Sequence, residues 1–332
     1  MVKPSAPVPG TSCVCPDKKL LSNKAFLDKT LETLMVVRKF EEKVFELFGK
    51  GMVHGTTHLG IGEEATGVGS TFALKPQDYM LATHRGHGQA IGKGCDVNLM
   101  MAEILARAPG ICRGRGGSMH IADFDKGILG ANAPLGCGAA LTIQKKKLKD
   151  TVAVAFFGDG ASNEGAIHES MNLAAAWQLP IIFCIINNTY GMSTPLEKVV
   201  HELDLTKRAI GYGMKSMECD GNDVLQVYDT MRKARAHVLK KGPILVVEHT
   251  YRTSGHSKSD GNLYRSKDEI ANWKSQNPVV RFSNFLLENG LSTSEKIAAA
   301  DEKSTKIIDD AVAFALASPD PVIEDALGDV YA

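Results

Sequence analysis

The composition of this 332-residue chain excludes several classes of protein. Its length lies near the upper size of a single α/β domain, and its hydrophobic content of 44% is enough to bury a full core. Lysine plus arginine equals aspartate plus glutamate at 38 each, so no net charge attracts nucleic acid or an anionic membrane. We therefore expect a soluble globular protein that binds neither nucleic acid nor membranes.

The expected location is the cytoplasm. No apolar run approaches the roughly 18–20 residues that cross a bilayer, and the first residues lack the apolar core of a secretory signal. The 7 cysteines are odd in number and mostly scattered, a pattern that favours reduced thiols over a disulfide framework.

The first residues are rich in Pro, Ser and Lys and offer little to pack, which predicts a flexible N-terminal arm over residues 1–22. From residue 23 to 332 we expect a single α/β domain with helical extensions at both ends. Directly after the arm, apolar residues recur at helical spacing as far as Gly49 and Gly51, which predicts one long amphipathic helix. The last part of the chain is also predicted to be helical.

Two unusually glycine-rich stretches follow the first helix. They run from His54 to Gly94 and from Gly110 to Gly138, and a helical segment near Val97 to Ala108 interrupts them. Glycine-rich loops of this length are normally functional. We therefore expect them to contribute to a binding site.

A strand, helix, strand unit is predicted in the middle of the chain. Thr151–Phe157 and Ile181–Ile186 are apolar runs typical of buried strands, and Glu164–Leu179 is predicted to be helical. A right-handed crossover makes the two strands parallel, so Asp159 and Asn188 emerge at the same edge of the sheet. Ligands of open α/β folds bind at that edge.

These polar residues indicate a magnesium and diphosphate site. Carboxylate and amide oxygens suit Mg²⁺, which usually shares its coordination shell with phosphate oxygens. Gly158, Gly160 and Ala161 let the backbone approach an anion, and the following helix directs its N-terminus towards it. Two ordinary turns would explain either cluster alone, because Asp-Gly and Asn-Asn are common turn formers. Both clusters at this spacing favour the binding site.

At these residues the chain resembles a known family. "GDG" followed by "NN" resembles the thiamine-diphosphate motif, and "HLGIGEEA", "THRGHGQAIGKG", "RGRGGSMHIAD", "GPILVVEHTYRTSGHSKSDG" and "YRSKDEI" extend the similarity from about residue 25 to the C-terminus. The family is the α subunit of the thiamine-diphosphate-dependent first component of acetoin and 2-oxo acid (pyruvate) dehydrogenase complexes. The resemblance implies a thiamine-diphosphate-binding fold with glycine-rich active-site loops.

The resemblance also implies roles for individual residues. Mg²⁺ would be held by Asp159, Asn188 and the backbone carbonyl of Tyr190, and His58 and His256 match the family's two active-site histidines. The implied cofactor-binding residues are His84, Arg85, Leu129, Gly158, Asp159, Gly160, Ala161, Asn188, Arg252 and His256. Among these the two arginines match diphosphate-binding arginines, while His84 stands where many pyruvate enzymes have tyrosine.

One segment departs from the family pattern. Relatives carry a stretch such as "GANGIVGGGFPL" that touches the cofactor's aminopyrimidine, whereas this chain reads "DKGILGANAPLGCG" and is several residues shorter over 126–138. Residues 127–130 are candidates for a displaced equivalent, with Leu129 as the bulky prop for the bent cofactor. The alternative is that this function is impaired.

Three functions are compatible with the resemblance. In the first, the chain belongs to an enzyme that cleaves acetoin, forms a two-carbon hydroxyethyl adduct on the cofactor and transfers the acetyl group to lipoamide. In the second, the same subunit decarboxylates pyruvate or another 2-oxo acid. In the third, the shortened segment leaves a non-catalytic, partner-binding subunit. "THRGHGQ" and "HIAD.DKG.LGAN" resemble the acetoin branch.

The resemblance implies partners as well. This chain matches only the diphosphate-binding half, so a β subunit is expected to supply the glutamate that contacts the aminopyrimidine ring. The expected assembly is a heterotetramer of two α and two β chains, which serves a small-molecule substrate and a lipoyl-bearing dihydrolipoamide acyltransferase. Glu63 and Glu64, in "GEEA", are interpreted as helix or interface residues.

Overall fold

A computed structural model of the chain describes residues 12–130 and 133–326. These residues form a seven-stranded sheet flanked by helices, which confirms the expected α/β class with a mainly parallel sheet. The strands are β1 Tyr79–Ala82, β2 Ala122–Asp123, β3 Gly127–Leu129, β4 Ala153–Gly158, β5 Ile181–Asn187, β6 Tyr190–Gly191, β7 Thr194–Pro195, β8 Lys215–Asp220 and β9 Ile244–His249. β6 and β7 form a separate antiparallel pair.

The helices of the described residues lie on both faces of the sheet. They are α1 Lys24–Gly49, α2 Glu64–Phe72, α3 His87–Lys93, α4 Val97–Ile104, α5 Ala133–Lys145, α6 Gly165–Trp177, α7 Val224–Lys241, α8 Lys267–Lys274, α9 Pro278–Glu288 and α10 Ser294–Ala317. α1 confirms the predicted long helix at the start of the domain, and α8 to α10 confirm the helical character of its end. None of these helices combines the length and the apolar character that a bilayer crossing requires.

The order of the strands determines where the site lies. It is β2-β3-β1-β4-β5-β9-β8, and every pair is parallel except β2 with β3. Gly158 on β4 pairs with Ile186 on β5, and Asn187 pairs with His249 on β9. The carboxyl ends of these three strands therefore meet at one edge of the sheet. The residues that follow them enter the same space.

Two apolar clusters cover the two faces of the sheet. On β5, Ile182 and Cys184 pack into the cluster that contains α1, α2, α7, α9 and α10, whereas Ile181 and Phe183 pack against α5 and α6. Both faces of the central strands are buried, which is why the strands are continuous apolar runs rather than alternating ones. The polar residues at the strand ends are thus held by a fully packed framework.

Residues 12–22 lie within the segment expected to be a flexible arm, and the structure describes them in contact with the domain. Cys13 is buried, and the backbone N–H of Val14 donates to Asp223 Oδ2 over 2.6 Å. Lys18–Ser22 form a short 3-10 helix capped by Asp17. Residues 1–11, the rest of the expected arm, lie outside the described residues.

β9 carries a buried glutamate, Glu248, one residue before the carboxyl end of the strand. Glu248 on β9 is fully buried, and the hydroxyl of Ser70 on α2 donates to its Oε1 over 2.5 Å. Burial raises the pKa of Glu248 from an ordinary 4.5 to about 8. The folded chain therefore keeps a proton that the unfolded chain has lost at neutral pH.

We expect Glu248→Gln to stabilise the chain increasingly as the pH rises. Between pH 4.5 and pH 8 the wild-type folded state holds one more proton than the unfolded state at this residue. The free energy of unfolding of the wild type therefore decreases as the pH rises, by up to about 1.4 kcal/mol per pH unit. Glutamine keeps an acceptor for Ser70 and removes the ionisation. Thermal unfolding at pH 5, 6.5 and 8 measures the difference in Tm between Glu248→Gln and wild type. This difference should widen as the pH rises, by about 2 °C for each kcal/mol of unfolding free energy.

The exposed Glu169→Gln is the matched control for the loss of one carboxylate. A gap between Glu248→Gln and wild type that stays constant from pH 5 to pH 8 would show that Glu248 does not hold this proton.

Candidate functional site

The candidate site is centred on a buried aspartate. Asp159 directly follows β4, is 1% exposed, and has no hydrogen-bond partner for Oδ2 among the described residues. Burial raises the pKa of its carboxyl group to about 6, while a backbone hydrogen bond at Asn188 opposes this rise. An unpaired buried acceptor is costly, so its presence indicates a group that is bound there in the working protein.

Asn188 follows β5 and lies beside a second buried carboxylate. Its Nδ2 donates to Glu63 Oε1 over 2.7 Å, and its Oδ1 accepts from the backbone N–H of Tyr190 over 3.3 Å. Glu63 immediately precedes α2 and is 8% exposed. Burial raises the pKa of Glu63. The Tyr190 hydroxyl donates to Glu269 over 3.0 Å, so the Tyr190 side chain is directed away from Asn188 and Glu63.

Two buried guanidinium groups bring positive charge to the same edge. Arg85, between β1 and α3, donates to the carbonyl oxygens of Leu59 and His256 over 2.8 and 3.0 Å. Arg252 follows β9 and is fully buried; it donates to the Tyr264 hydroxyl over 3.0 Å, and its Nε has no partner among the described groups. Burial lowers the pKa of Arg85. Both arginines are suited to bind an anion through their forked N–H groups.

The turn after Asp159 depends on close backbone contact. A Cβ added to Gly160 would lie 2.8 Å from the Cα of Gly191, so only glycine permits this approach. A 3-10 turn, Ala161–Asn163, comes next, and α6 begins only at Gly165. Arg208 fixes the turn by donating to the carbonyl oxygen of Ser162 over 2.6 Å and to Asn163 Oδ1 over 2.7 Å. Arg208 was not predicted from the sequence, because its partners lie more than 40 residues away.

Three histidines lie together at the side of the site. The centroid of the His58 ring lies 4.5 Å from that of His84 and 4.7 Å from that of His256. Each histidine offers one ring nitrogen, and these three nitrogens lie within 4.8 Å of one another. Burial, followed by the positive charge of Arg85, lowers their pKa values to about 4, 3 and 4 respectively. All three rings are therefore neutral at pH 7.

Neutral imidazoles at this spacing are potential ligands of a transition metal. The charges of Arg85 and Arg252 beside them, which lower their pKa values, equally oppose a cation at this position. Asp159 instead offers a buried carboxylate oxygen, Oδ2, that has no partner among the described residues. A cation is therefore favoured between β4 and β5, and the histidines are suited to hydrogen bonding and proton transfer.

Leu129 lies at the end of β3 and is only 2% exposed. It pairs with Ala82 on β1, and a Cβ placed on Gly86 would lie 2.8 Å from its Cγ. It therefore packs under the turn that carries His84 and Arg85. Within the shortened segment 126–138, residues 131 and 132 lie outside the described residues, and α5 begins immediately after them.

A family model described as the dehydrogenase E1 component matches residues 32–324. The chain belongs to this family. Membership implies thiamine diphosphate as the cofactor and agrees with the expected thiamine-diphosphate-binding fold. The arrangement at the edge of the sheet fits such a group, since it offers an unpaired carboxylate oxygen, two buried guanidinium groups and a glycine turn.

Curated relatives cover almost the whole chain. The α subunit of acetoin:2,6-dichlorophenolindophenol oxidoreductase from Bacillus subtilis (strain 168) is 42% identical over 308 residues, which cover 90% of this chain and 92% of the relative. The subunit of the same name from Cupriavidus necator is 40% identical over 323 residues, with coverages of 92% and 95%. The pyruvate dehydrogenase E1 component subunit alpha from Rhizobium meliloti (strain 1021) is 36% identical over 310 residues, with coverages of 91% and 89%.

Within this E1 chain, the adjacent glutamates of "GEEA" have different environments. Glu64 pairs with Arg38 on α1 over 2.7 Å, in line with its interpretation as a helix residue. Glu63 instead reaches Asn188 at the site, which the sequence analysis did not predict. The two bonded residues are 125 positions apart, so no local pattern could reveal the contact.

We expect the imidazoles of His58, His84 and His256 to stay neutral as the pH is lowered from 7.5 to 5. Their lowered pKa values follow from burial beside Arg85, so protonation of these three rings in the folded chain begins only below pH 5. Histidine ring resonances in nitrogen-15 NMR spectra, assigned with single His→Gln variants, measure this directly. In urea the same rings should titrate near the ordinary value of 6.5. Titration near that value in the folded chain would contradict the assigned environment.

Proposed function

We propose that this E1 chain is the α subunit of a thiamine-diphosphate-dependent enzyme that cleaves acetoin. The observation that carries the proposal is the buried Asp159 carboxylate, which has an unpaired oxygen and lies at one sheet edge with Asn188, Arg85 and Arg252. Support for acetoin comes from two relatives named for it, which are 42% and 40% identical over at least nine-tenths of this chain.

Mg²⁺ would be held by Asp159, Asn188 and the backbone carbonyl of Tyr190. These are the hard oxygen donors that Mg²⁺ prefers, and a diphosphate would complete its shell. Support comes from the unpaired Oδ2 of Asp159 and from the short turn between Asn188 and Tyr190.

The diphosphate would be held from both sides. Arg85 and Arg252 would neutralise its charge, and Arg252 has a free Nε among the described groups. The backbone of Gly158, Gly160 and Ala161 would approach it, and the close contact of Gly160 with Gly191 leaves no room for a side chain at position 160. His84 would contact it from the turn that Leu129 supports. Since Leu129 has little exposed surface, we propose that it acts through this turn.

When bound, thiamine diphosphate supplies the electron sink for breaking the bond between the two oxygen-bearing carbons of acetoin. Cleavage requires the substrate hydroxyl to lose a proton. The neutral rings of His58 and His256 are suited to accept it, since their lowered pKa values leave a nitrogen free at pH 7. His58 Nδ1 has no partner among the described residues.

The partner is proposed to be a β subunit, in a heterotetramer of two α and two β chains. It would supply the glutamate that contacts the aminopyrimidine ring, and a lipoyl-bearing dihydrolipoamide acyltransferase would receive the acetyl group. Support comes from the relatives, which are named as α subunits and are matched almost end to end.

Pyruvate is the second candidate substrate, because the Rhizobium meliloti pyruvate dehydrogenase subunit is 36% identical over 91% of this chain. The third candidate, a non-catalytic subunit, rests on the shortened segment 126–138. The buried guanidinium groups beside Asp159 favour a subunit that binds the diphosphate, and turnover distinguishes this candidate from the first two.

We expect the assembled α and β chains, with Mg²⁺ and thiamine diphosphate, to favour acetoin over pyruvate by at least about tenfold in kcat/KM. Reduction of 2,6-dichlorophenolindophenol measures both rates with one acceptor. The same assembly carrying Asp159→Ala corrects for background reduction. A preference for pyruvate would move the assignment to the second candidate, and no turnover with either substrate would favour the non-catalytic alternative.

We expect the α chain alone, with Mg²⁺ and cofactor, to show negligible acetoin cleavage until the β subunit is added. The α chain holds the diphosphate, whereas activation of the cofactor requires the glutamate of the β subunit. Titration of a fixed amount of α chain with β subunit should give activity that saturates at one β per α. Full activity of the isolated α chain would contradict the divided site.

A further inference from the structure

Glu63 is a buried carboxylate that, among the described residues, neither caps a helix nor forms an ion pair. It occupies the position before the first residue of α2, yet its side chain makes no capping hydrogen bond to that helix. Its described side-chain contact is with Asn188 Nδ2, over 2.7 Å, across 125 residues of sequence. The neighbouring Glu64 has a plain structural role through Arg38.

The backbone holds Glu63 in this orientation. The preceding residue, Gly62, has φ +103°, a conformation that other residues rarely adopt. A Cβ at Gly62 would also lie 2.4 Å from the carbonyl oxygen of Tyr251, which extends from β9. This close approach ties the start of α2 to the segment after β9 that contains Arg252. Glu63 is thereby directed into the site and not towards solvent.

The contact determines which way the side-chain amide of Asn188 faces. A carboxylate oxygen accepts hydrogen bonds, so it pairs with the NH₂ group of the amide and repels its oxygen. Rotation of the amide by half a turn would place Oδ1 against Glu63 Oε1 and lose the bond. With Nδ2 held by Glu63, Oδ1 faces the opposite side, towards the turn of Tyr190. That is the side on which Asn188 would bind a metal.

We propose that Glu63 is a positioning residue for the metal site, which holds the amide of Asn188 so that Oδ1 faces Mg²⁺. The inference rests on the proposed function, in which Asn188 is a metal ligand. Groups outside the coordination shell that orient a ligand commonly change metal affinity by 10–100-fold.

The test is the affinity for Mg²⁺, measured by calorimetry on the assembled, metal-free enzyme in saturating thiamine diphosphate. We expect Glu63→Ala to weaken Mg²⁺ binding by about tenfold, because the amide then loses the bond that holds its Nδ2. Glu63→Gln should stay within about threefold of wild type, since its Oε1 still accepts from Asn188. This recovery by the conservative variant distinguishes positioning from direct ligation by a carboxylate.

Asn187→Ala is the matched control. Asn187 belongs to the same turn, but its Oδ1 accepts from the Thr189 N–H and its Nδ2 faces His249, so Mg²⁺ affinity should not change. Thermal unfolding of each variant separates a general loss of structure from a local effect on the metal.

The outcomes separate this inference from the function on which it rests. If Asn188→Ala weakens Mg²⁺ binding and Glu63→Ala does not, positioning by Glu63 is refuted and the metal assignment stands. If Glu63→Gln loses as much affinity as Glu63→Ala, the carboxylate charge or direct ligation matters and positioning is again refuted. If Asn188→Ala binds Mg²⁺ as wild type does, Asn188 is not a ligand and the proposed metal site fails together with the inference.

Discussion

The parallel pairing of β5 with its two neighbours is the constraint on which the rest of the structure depends. Because β4, β5 and β9 run in the same direction, the chain leaves all three at one edge of the sheet. Asp159, Asn188 and Arg252 follow these strands within a few residues. If either pairing slipped by one residue, each side chain of the slipped strand would move to the opposite face of the sheet. The polar groups at the strand ends would then be separated. Packing on both faces holds this register.

A second consequence is the concentration of buried charge at that edge. Two buried carboxylates lie near two buried guanidinium groups: Arg85 and Arg252 both act on the charge of Glu63, and Arg252 acts on that of Asp159. Removing such groups from water is costly, and the cost is met only where each finds a partner. Asp159 Oδ2 and Arg252 Nε lack one among the described residues. The edge is therefore arranged for a ligand that carries both a cation and an anion, as magnesium diphosphate does.

The sequence predicted the parts of the site that depend on local pattern. Apolar runs marked β4 and β5, and the parallel geometry of a crossover unit then predicted that Asp159 and Asn188 lie at one edge. Arg85, Arg252 and the histidines came from family resemblance, not from spacing. Arg208 was missed, and Glu63 was interpreted as a helix or interface residue, because each contacts a residue far away in sequence.

Other features also depended on tertiary structure. The pattern over 126–138 could not show that Leu129 ends a short strand beside β1 and packs under the turn of Arg85. Nor could the composition of the first residues show that Cys13 is buried and that Val14 binds Asp223. In both cases the contact joins segments that are far apart in sequence.

The proposed magnesium site is tested by the position of the metal in the assembled enzyme. Crystals of the assembled enzyme, grown with thiamine diphosphate and with Mn²⁺ in place of Mg²⁺, would locate the ion by its anomalous scattering. We expect one strong peak between β4 and β5, at about 2.1 Å from a carboxylate oxygen of Asp159 and from Asn188 Oδ1. A peak among His58, His84 and His256 instead, or none beside Asp159, would contradict the proposed site.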